Sequence, residues 1–235
     1  MLERSNQFEK CKSYIISQTK KAEKEGAPPT GSNPAITLSR ETGAGALTLG
    51  EKLAEYLNQH AASAHCSWTV FDKNLVEKVL EDHDLPARLG KFMPEDRPST
   101  LEDAFGDILG THPPNWDLVK HTQDTIYRLA RMGNCILVGR GASIIAEDLP
   151  NVLRVRLVGS LEKRVIRCMD YYGIDEEEAR KLVRKQDRAR RRYVLAYYDR
   201  EIADPLNYHL VINVDLFSSE AIVKLIGDTI SHWSV

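Results

Sequence analysis

The sequence predicts an α/β fold in which a parallel, five-stranded sheet is covered by helices on both faces. Short apolar runs recur along the chain, and several lead into stretches whose apolar residues are spaced as on one side of a helix. Strand–helix–strand units of this kind pair in parallel and need helices on both sides to bury them. The composition fits one sizeable core: 235 residues, 42% hydrophobic and 28% charged, too apolar for a disordered chain.

Residues 2 to about 25 read as a polar helix, with Phe8, Cys11, Tyr14 and Ile15 at helical spacing. The segment GAPPTGSNP ends it, because its prolines and glycines do not continue a helix. Residues 1–33 are therefore an N-terminal helical extension and linker, expected to dock on the core or on a partner, a second copy included. Residues 34–235 form the main domain. Its first strand is Ala35–Ser39, followed by the helical pattern Leu47, Leu49, Leu53, Ala54, Leu57. The second, Trp68–Phe71, ends at Asp72 and leads into Leu75, Val76, Val79 and Leu80. Residues from about 81 to 115 carry Pro86, Pro94, Pro98, Pro113 and Pro114 and a weak helical pattern around Leu101–Leu109, and read as part of an insertion. A helical stretch from Trp116 to Met132 precedes the third strand, Cys135–Gly139; Val152–Val158 and His209–Val214 are the fourth and fifth. Sheets of this class hold ligands at the carboxyl ends of their strands, so the residues just after each run are where chemistry is expected.

Several function classes are disfavoured. A net charge of −2 argues against a generic nucleic-acid binder. No apolar run approaches the roughly 18 residues of a membrane span. Cys11, Cys66, Cys135 and Cys168 have no paired spacing, so neither a zinc site nor a disulfide framework is expected. MLERSNQFEK lacks the apolar stretch of a signal peptide, and a cytoplasmic protein with free thiols is the expectation.

The first strand runs into Ser39-Arg-Glu-Thr-Gly-Ala-Gly-Ala-Leu-Thr48 and then a helix. Glycines let backbone N–H groups face phosphate oxygens, with the positive end of a helix behind them. Against the motif G-x-x-x-x-G-K-[ST], Gly45 holds the second glycine position. Arg40 stands in place of the first glycine, Ala46 in place of the lysine and Leu47 in place of the Ser/Thr. By spacing alone, an ordinary βα turn and a phosphate cradle both remain open. Gly43 and Gly45 permit the tight loop, Thr48 lies one residue past the hydroxyl position, and Arg40 is placed to supply the missing charge.

The third strand ends in Val138-Gly139-Arg140-Gly141, an arginine that neither neighbour shields and whose planar fork suits phosphate. Asp175-Glu-Glu-Glu178 opens a further helix as a cap with an acidic first turn. From Arg180 to Arg192, eight of thirteen residues are basic. Arg184, Arg188, Arg191 and Arg192 share one side, with Arg190 on its flank. A lid over polyphosphate, a nucleic-acid contact and a plain solvated face are the readings of such a cluster.

Together the segments ITLSRETGAG, TVFDKNLVEKV, NCILVGRGASII, KLVRKQDRARRRY and DPLNYHLVINVDLFSSEAIVKLI resemble the cytidylate kinase-like family of P-loop proteins, over residues from about 35 to 230. The resemblance implies a P-loop NTPase-like three-layer fold, with a helical substrate-binding insert near 73–130 and a mobile lid near 170–200. It implies ATP and Mg2+, with Gly43, Ala44, Gly45, Ala46, Leu47 and Thr48 around the donor phosphates and Arg140 on the acceptor phosphate. Asp72 marks the start of the acceptor site, and Asp187 with Arg188 or Arg190 acts in the lid. Cytidylate kinases carry a lysine where this chain has Ala46, and aspartates where it has Val138 and Gly141. The expectation is an ATP-dependent phosphotransferase acting on a nucleoside monophosphate or similar acceptor. The alternative is a non-catalytic nucleotide binder with a degenerate loop.

Overall fold

The computed structural model describes residues 2–25, 33–60, 67–82 and 116–233. Its elements in chain order are α1 (Leu2–Glu25), β1 (Ala35–Arg40), α2 (Ala46–His60), β2 (Thr69–Phe71), α3 (Lys73–Glu81), α4 (Trp116–Met132), β3 (Cys135–Val138), α5 (Ala142–Ile145), β4 (Val152–Val158), α6 (Leu161–Tyr172), α7 (Glu176–Tyr198), a short 3-10 turn (Pro205–Asn207), β5 (Leu210–Asn213) and α8 (Ser219–Ser231). The pattern around Leu101–Leu109, the prolines from 86 to 114 and Cys66 lie outside the described residues.

The five strands form one parallel sheet in the order β2-β3-β1-β4-β5, as the apolar runs require. β1 is central because Ala35 to Leu38 bury both faces. Its side chains alternate between two cores. Ala35 joins Phe71, Leu137 and Val152 under α1, α3, α4 and α5, whereas Ile36 and Leu38 join Leu153, Val155 and Ile212 under α2 and α8. The result is three layers.

α1 is part of this packing. Cys11, Tyr14 and Ile15 are buried in the same cluster as Phe71, Val76 and Leu129, and the Tyr14 ring meets Phe71 edge-on at 5.7 Å. Burial pushes the Cys11 thiol up to about 12. Lys12 pairs with Asp82, the C-cap of α3, at 3.0 Å. The N-terminal segment thus reaches the sheet at β2.

α6 and α7 form a hairpin closed by Val165, Cys168, Ala179 and Val183. Gly173 ends α6 at φ +65°, and Asp175 caps α7 by accepting from the Glu178 N–H at 2.9 Å. Ala179, Val183 and Val194 are its buried residues and fix its rotational phase. That phase decides which basic side chains face inward.

Candidate functional site

At the carboxyl edge, β1 and β3 are neighbours whose connections leave toward different parts of the sheet, the place where a crevice opens in such folds. A cavity of about 490 Å³ lies there, floored by Leu38–Arg40 and Gly139–Ile144 and roofed by α7. Arg40, Lys73, Arg140 and Arg190 line it, and among the described residues no carboxylate does. Four cations around one cavity select an anion.

The turn after β3 aims Arg140 there. Gly139, Arg140 and Gly141 have φ of +86°, +53° and +74°, so the arginine itself is left-handed, at a cost of about 1–2 kcal/mol for an L-residue. The two glycines are needed for contact as well as conformation. A Cβ on Gly139 would lie 1.8 Å from Arg40 Nη1, and one on Gly141 would lie 2.6 Å from the Tyr198 ring. The Arg140 guanidinium donates to Glu77 at 2.5 Å and stands 5.9 Å from the centre of the Tyr193 ring. Its Nε is buried with no acceptor among the described residues, a donor suited to a ligand oxygen.

Arg40 reaches the same cavity from the end of β1. Among the described residues no carboxylate comes within ion-pair distance of it. Burial lowers its pKa to about 10, helped by the neighbouring charges of Arg190 and Arg140. Arg190 is likewise lowered by burial, against the opposing pull of Asp187.

The glycine turn is tied to α7 through Asp187. One carboxylate oxygen accepts from the Thr42 N–H and Oγ1, each at 2.7 Å, and from Arg190 at 3.2 Å. The other accepts from Arg164 at 2.7 Å. Arg164 is 7% exposed and also donates to the carbonyls of Thr42 and Gly159, with Glu41 at 3.3 Å. Arg190 closes the ring by donating to Thr42 Oγ1. Gly43, at φ +82°, leaves room for the Arg164 carbonyl, which a Cβ would approach to 2.4 Å.

The structure thus brings Arg40, Arg140 and Arg190 to one cavity, with Asp187 bonded behind Arg190. The row Arg184, Arg188, Arg191 and Arg192 is exposed on the outer side of α7, and Arg191 pairs with Glu201 at 2.6 Å. Arg188 does not line the cavity. Residues 43–48 turn beside it without lining it. The N–H groups of Ala46, Leu47 and Thr48 open α2 and have no intrahelical acceptor. Leu47 faces a separate groove against α1, shared with Cys11, Tyr14 and Trp68. Asp72 lines that groove too and caps α3, accepting from the Leu75 N–H at 2.9 Å.

Sequence reasoning missed Lys73, Arg156, Arg164, Tyr193 and Tyr208. Arg156 is 6% exposed and bonded to Ser39 Oγ at 2.9 Å, just behind the cavity floor. Its signal was available: an arginine flanked by valine and leucine near the carboxyl end of a largely apolar strand.

A resident magnesium ion does not fit these residues. Ala46 and Leu47 bring no side-chain oxygen, and both carboxylates near the turn are engaged, Glu41 with the Gly159 N–H and Arg164, Asp187 as above. Among the described residues there is no cluster of three His, Cys, Asp or Glu able to hold a metal. A magnesium ion would enter with the nucleotide as substrate. The same residues do fit a polyphosphate, through open amides and guanidiniums. Among the described residues, no helix is long and apolar enough to cross a membrane.

Comparisons with known proteins bear on family and fold. A model of the cytidylate kinase-like family matches residues 35–216. The chain is 23% identical over 197 residues to a cytidylate kinase of Pyrococcus horikoshii, covering 84% of this chain and 88% of that protein. It is also 28% identical over 110 residues to a uronate isomerase of Corynebacterium glutamicum, taking in 47% of this chain but spanning only 21% of that relative's length. Among solved structures, an uncharacterized protein from Eubacterium ventriosum matches with a TM-score of 0.62 at 24% identity, over 84% of this chain and 99% of that one. At that identity the likeness is one of fold.

Proposed function

The chain belongs to the cytidylate kinase-like family, and from that premise we propose that it is an ATP-dependent phosphotransferase whose acceptor is a nucleoside monophosphate or a similarly small anion. One observation carries the proposal: among the described residues, the cavity beside the glycine turn is lined by Arg40, Lys73, Arg140 and Arg190 and by no carboxylate.

Phosphoryl transfer asks little covalent chemistry of a protein and depends on positioning and charge. In this reading the turn of residues 43–48 holds the donor phosphates, through the open amides of Ala46, Leu47 and Thr48 at the start of α2. Arg140 holds the acceptor phosphate, with its unsatisfied Nε and its Glu77-braced fork. Arg190 and Arg40 flank the group in flight, where charge spreads over its equatorial oxygens. Asp187 positions Arg190 and fastens α7 over the turn, which keeps water from competing as acceptor. The ammonium of the usual lysine is absent at Ala46. Loss of one such charge-assisted contact costs about 10² to 10³ in rate, so a slow enzyme is expected.

Phosphoryl transfer from ATP with magnesium to a panel of monophosphates tests this. Turnover of at least one acceptor is expected; nucleotide binding without turnover on the whole panel would contradict it. That second outcome is the mark of the alternative, a nucleotide sensor, favoured by one feature. Leu47, at the position of the metal-binding hydroxyl, is turned into the groove against α1.

A further inference from the structure

On the cavity floor, a chain of hydroxyl groups has a fixed direction. Arg156 Nη1 donates to Ser39 Oγ at 2.9 Å, and a guanidinium has no acceptor to offer in return. Tyr208 Oη donates to the Ile202 carbonyl at 2.8 Å, which uses the phenol's one proton. The 3.1 Å contact between Ser39 Oγ and Tyr208 Oη therefore runs one way, with the serine donating. Both hydroxyl protons are consumed inside the protein. Ser39 and Tyr208 both line the cavity, and what their oxygens have left for it are lone pairs.

The arrangement is held firmly. Ser39 stands opposite Arg156 in the β1–β4 ladder, and the Arg156 guanidinium lies 5.6 Å from the centre of the Tyr208 ring. Arg156 and Tyr208 are 6% and 8% exposed. No carboxylate pairs with Arg156 among the described residues, so nothing there competes for its bond to Ser39.

We infer that Ser39 and Tyr208 form a subsite that accepts a hydrogen bond from the ligand, so that the bound molecule presents an N–H or O–H there while its phosphate faces Arg140. The inference rests on the reading of this cavity as the acceptor pocket. In a nucleoside monophosphate three groups supply such a donor: an exocyclic amine on the base, a ring N–H such as that of uracil, and a ribose hydroxyl. A keto oxygen supplies none and meets lone pairs instead.

Calorimetric titration without ATP, using CMP, UMP and 2′-deoxy-CMP, separates the sources. CMP binding about tenfold tighter than UMP identifies the amine, and UMP binding about tenfold tighter than CMP the ring N–H; CMP binding about tenfold tighter than 2′-deoxy-CMP identifies the hydroxyl. Equal binding of all three, or binding of none, overturns the inference. Tyr208→Phe keeps the ring against Arg156 and releases the Ser39 proton toward the cavity. The preference then falls to about one or inverts. A loss common to all three ligands would mean a structural role only and would overturn the subsite. Turnover is a separate readout. Discrimination without phosphoryl transfer keeps this inference and removes the phosphotransferase reading, and transfer without discrimination does the reverse.

Discussion

Replacing Arg140 with alanine is expected to weaken acceptor binding by about 10² to 10³ while leaving ATP affinity within about twofold. The magnitude is that of a bidentate, charge-assisted phosphate contact. Arg140 is suited to that contact because its turn holds it in a left-handed conformation, Glu77 braces one side of its fork and its Nε has no protein acceptor among the described residues. Stability should change little. The arginine is only partly buried, Glu77 keeps Lys73 at 3.8 Å, and the strain at φ +53° remains with any L-residue. Titrations of the variant with a monophosphate and with ATP check this; equal loss of both ligands would place Arg140 elsewhere in the account.

Asp187→Ala has the larger effect on the fold. The carboxylate is the common acceptor of Thr42, Arg164 and Arg190, and Arg164 is nearly fully buried. Removing it leaves a buried guanidinium with Glu41 at 3.3 Å and two carbonyls as partners. Because those partners persist, the cost is set below that of a fully unpaired buried charge, at about 2–3 kcal/mol. In a chain of this length that corresponds to roughly 5–10 °C in Tm. The same change releases α7 from the glycine turn and lets Arg190 swing. Thermal unfolding and phosphoryl transfer should therefore fall together, and an unchanged Tm would show that Asp187 fastens nothing. Asp187→Asn keeps an acceptor for Thr42 but turns an amide toward Arg164 or Arg190, and should fall between the two.

The strands were legible because a parallel sheet buried on both faces demands near-continuous apolar runs, and AITLS, CILV and VLRVRLV are such runs. Arg140 was legible for a local reason, the glycine on either side. The basic helix was legible only as composition. Counting arginines selected the row 184, 188, 191 and 192, yet the sparse apolar residues Ala179, Val183 and Val194 turn the opposite side inward. That places Gln186, Arg190 and Tyr193 on the cavity and leaves Arg188 in solvent. Arg156 escaped notice because its strand reads as core, and the partners that give it meaning, Ser39 and Tyr208, lie 117 residues away and on another segment. Such long-range pairings are set by sheet register, which the local pattern does not encode. The glycine turn was legible from Gly43 and Gly45, whose φ are +82° and +73°. What the sequence did not show is that Leu47 turns toward α1, because that contact depends on how the N-terminal helix docks.

In this reading, backbone amides and guanidiniums hold a triphosphate where the ammonium is missing. Calorimetric titration of the protein with ATP should then give measurable heat and saturable binding in the micromolar to millimolar range, weakened by Arg40→Ala. Absence of heat with ATP at millimolar concentration, from a chain shown to be folded, would contradict it.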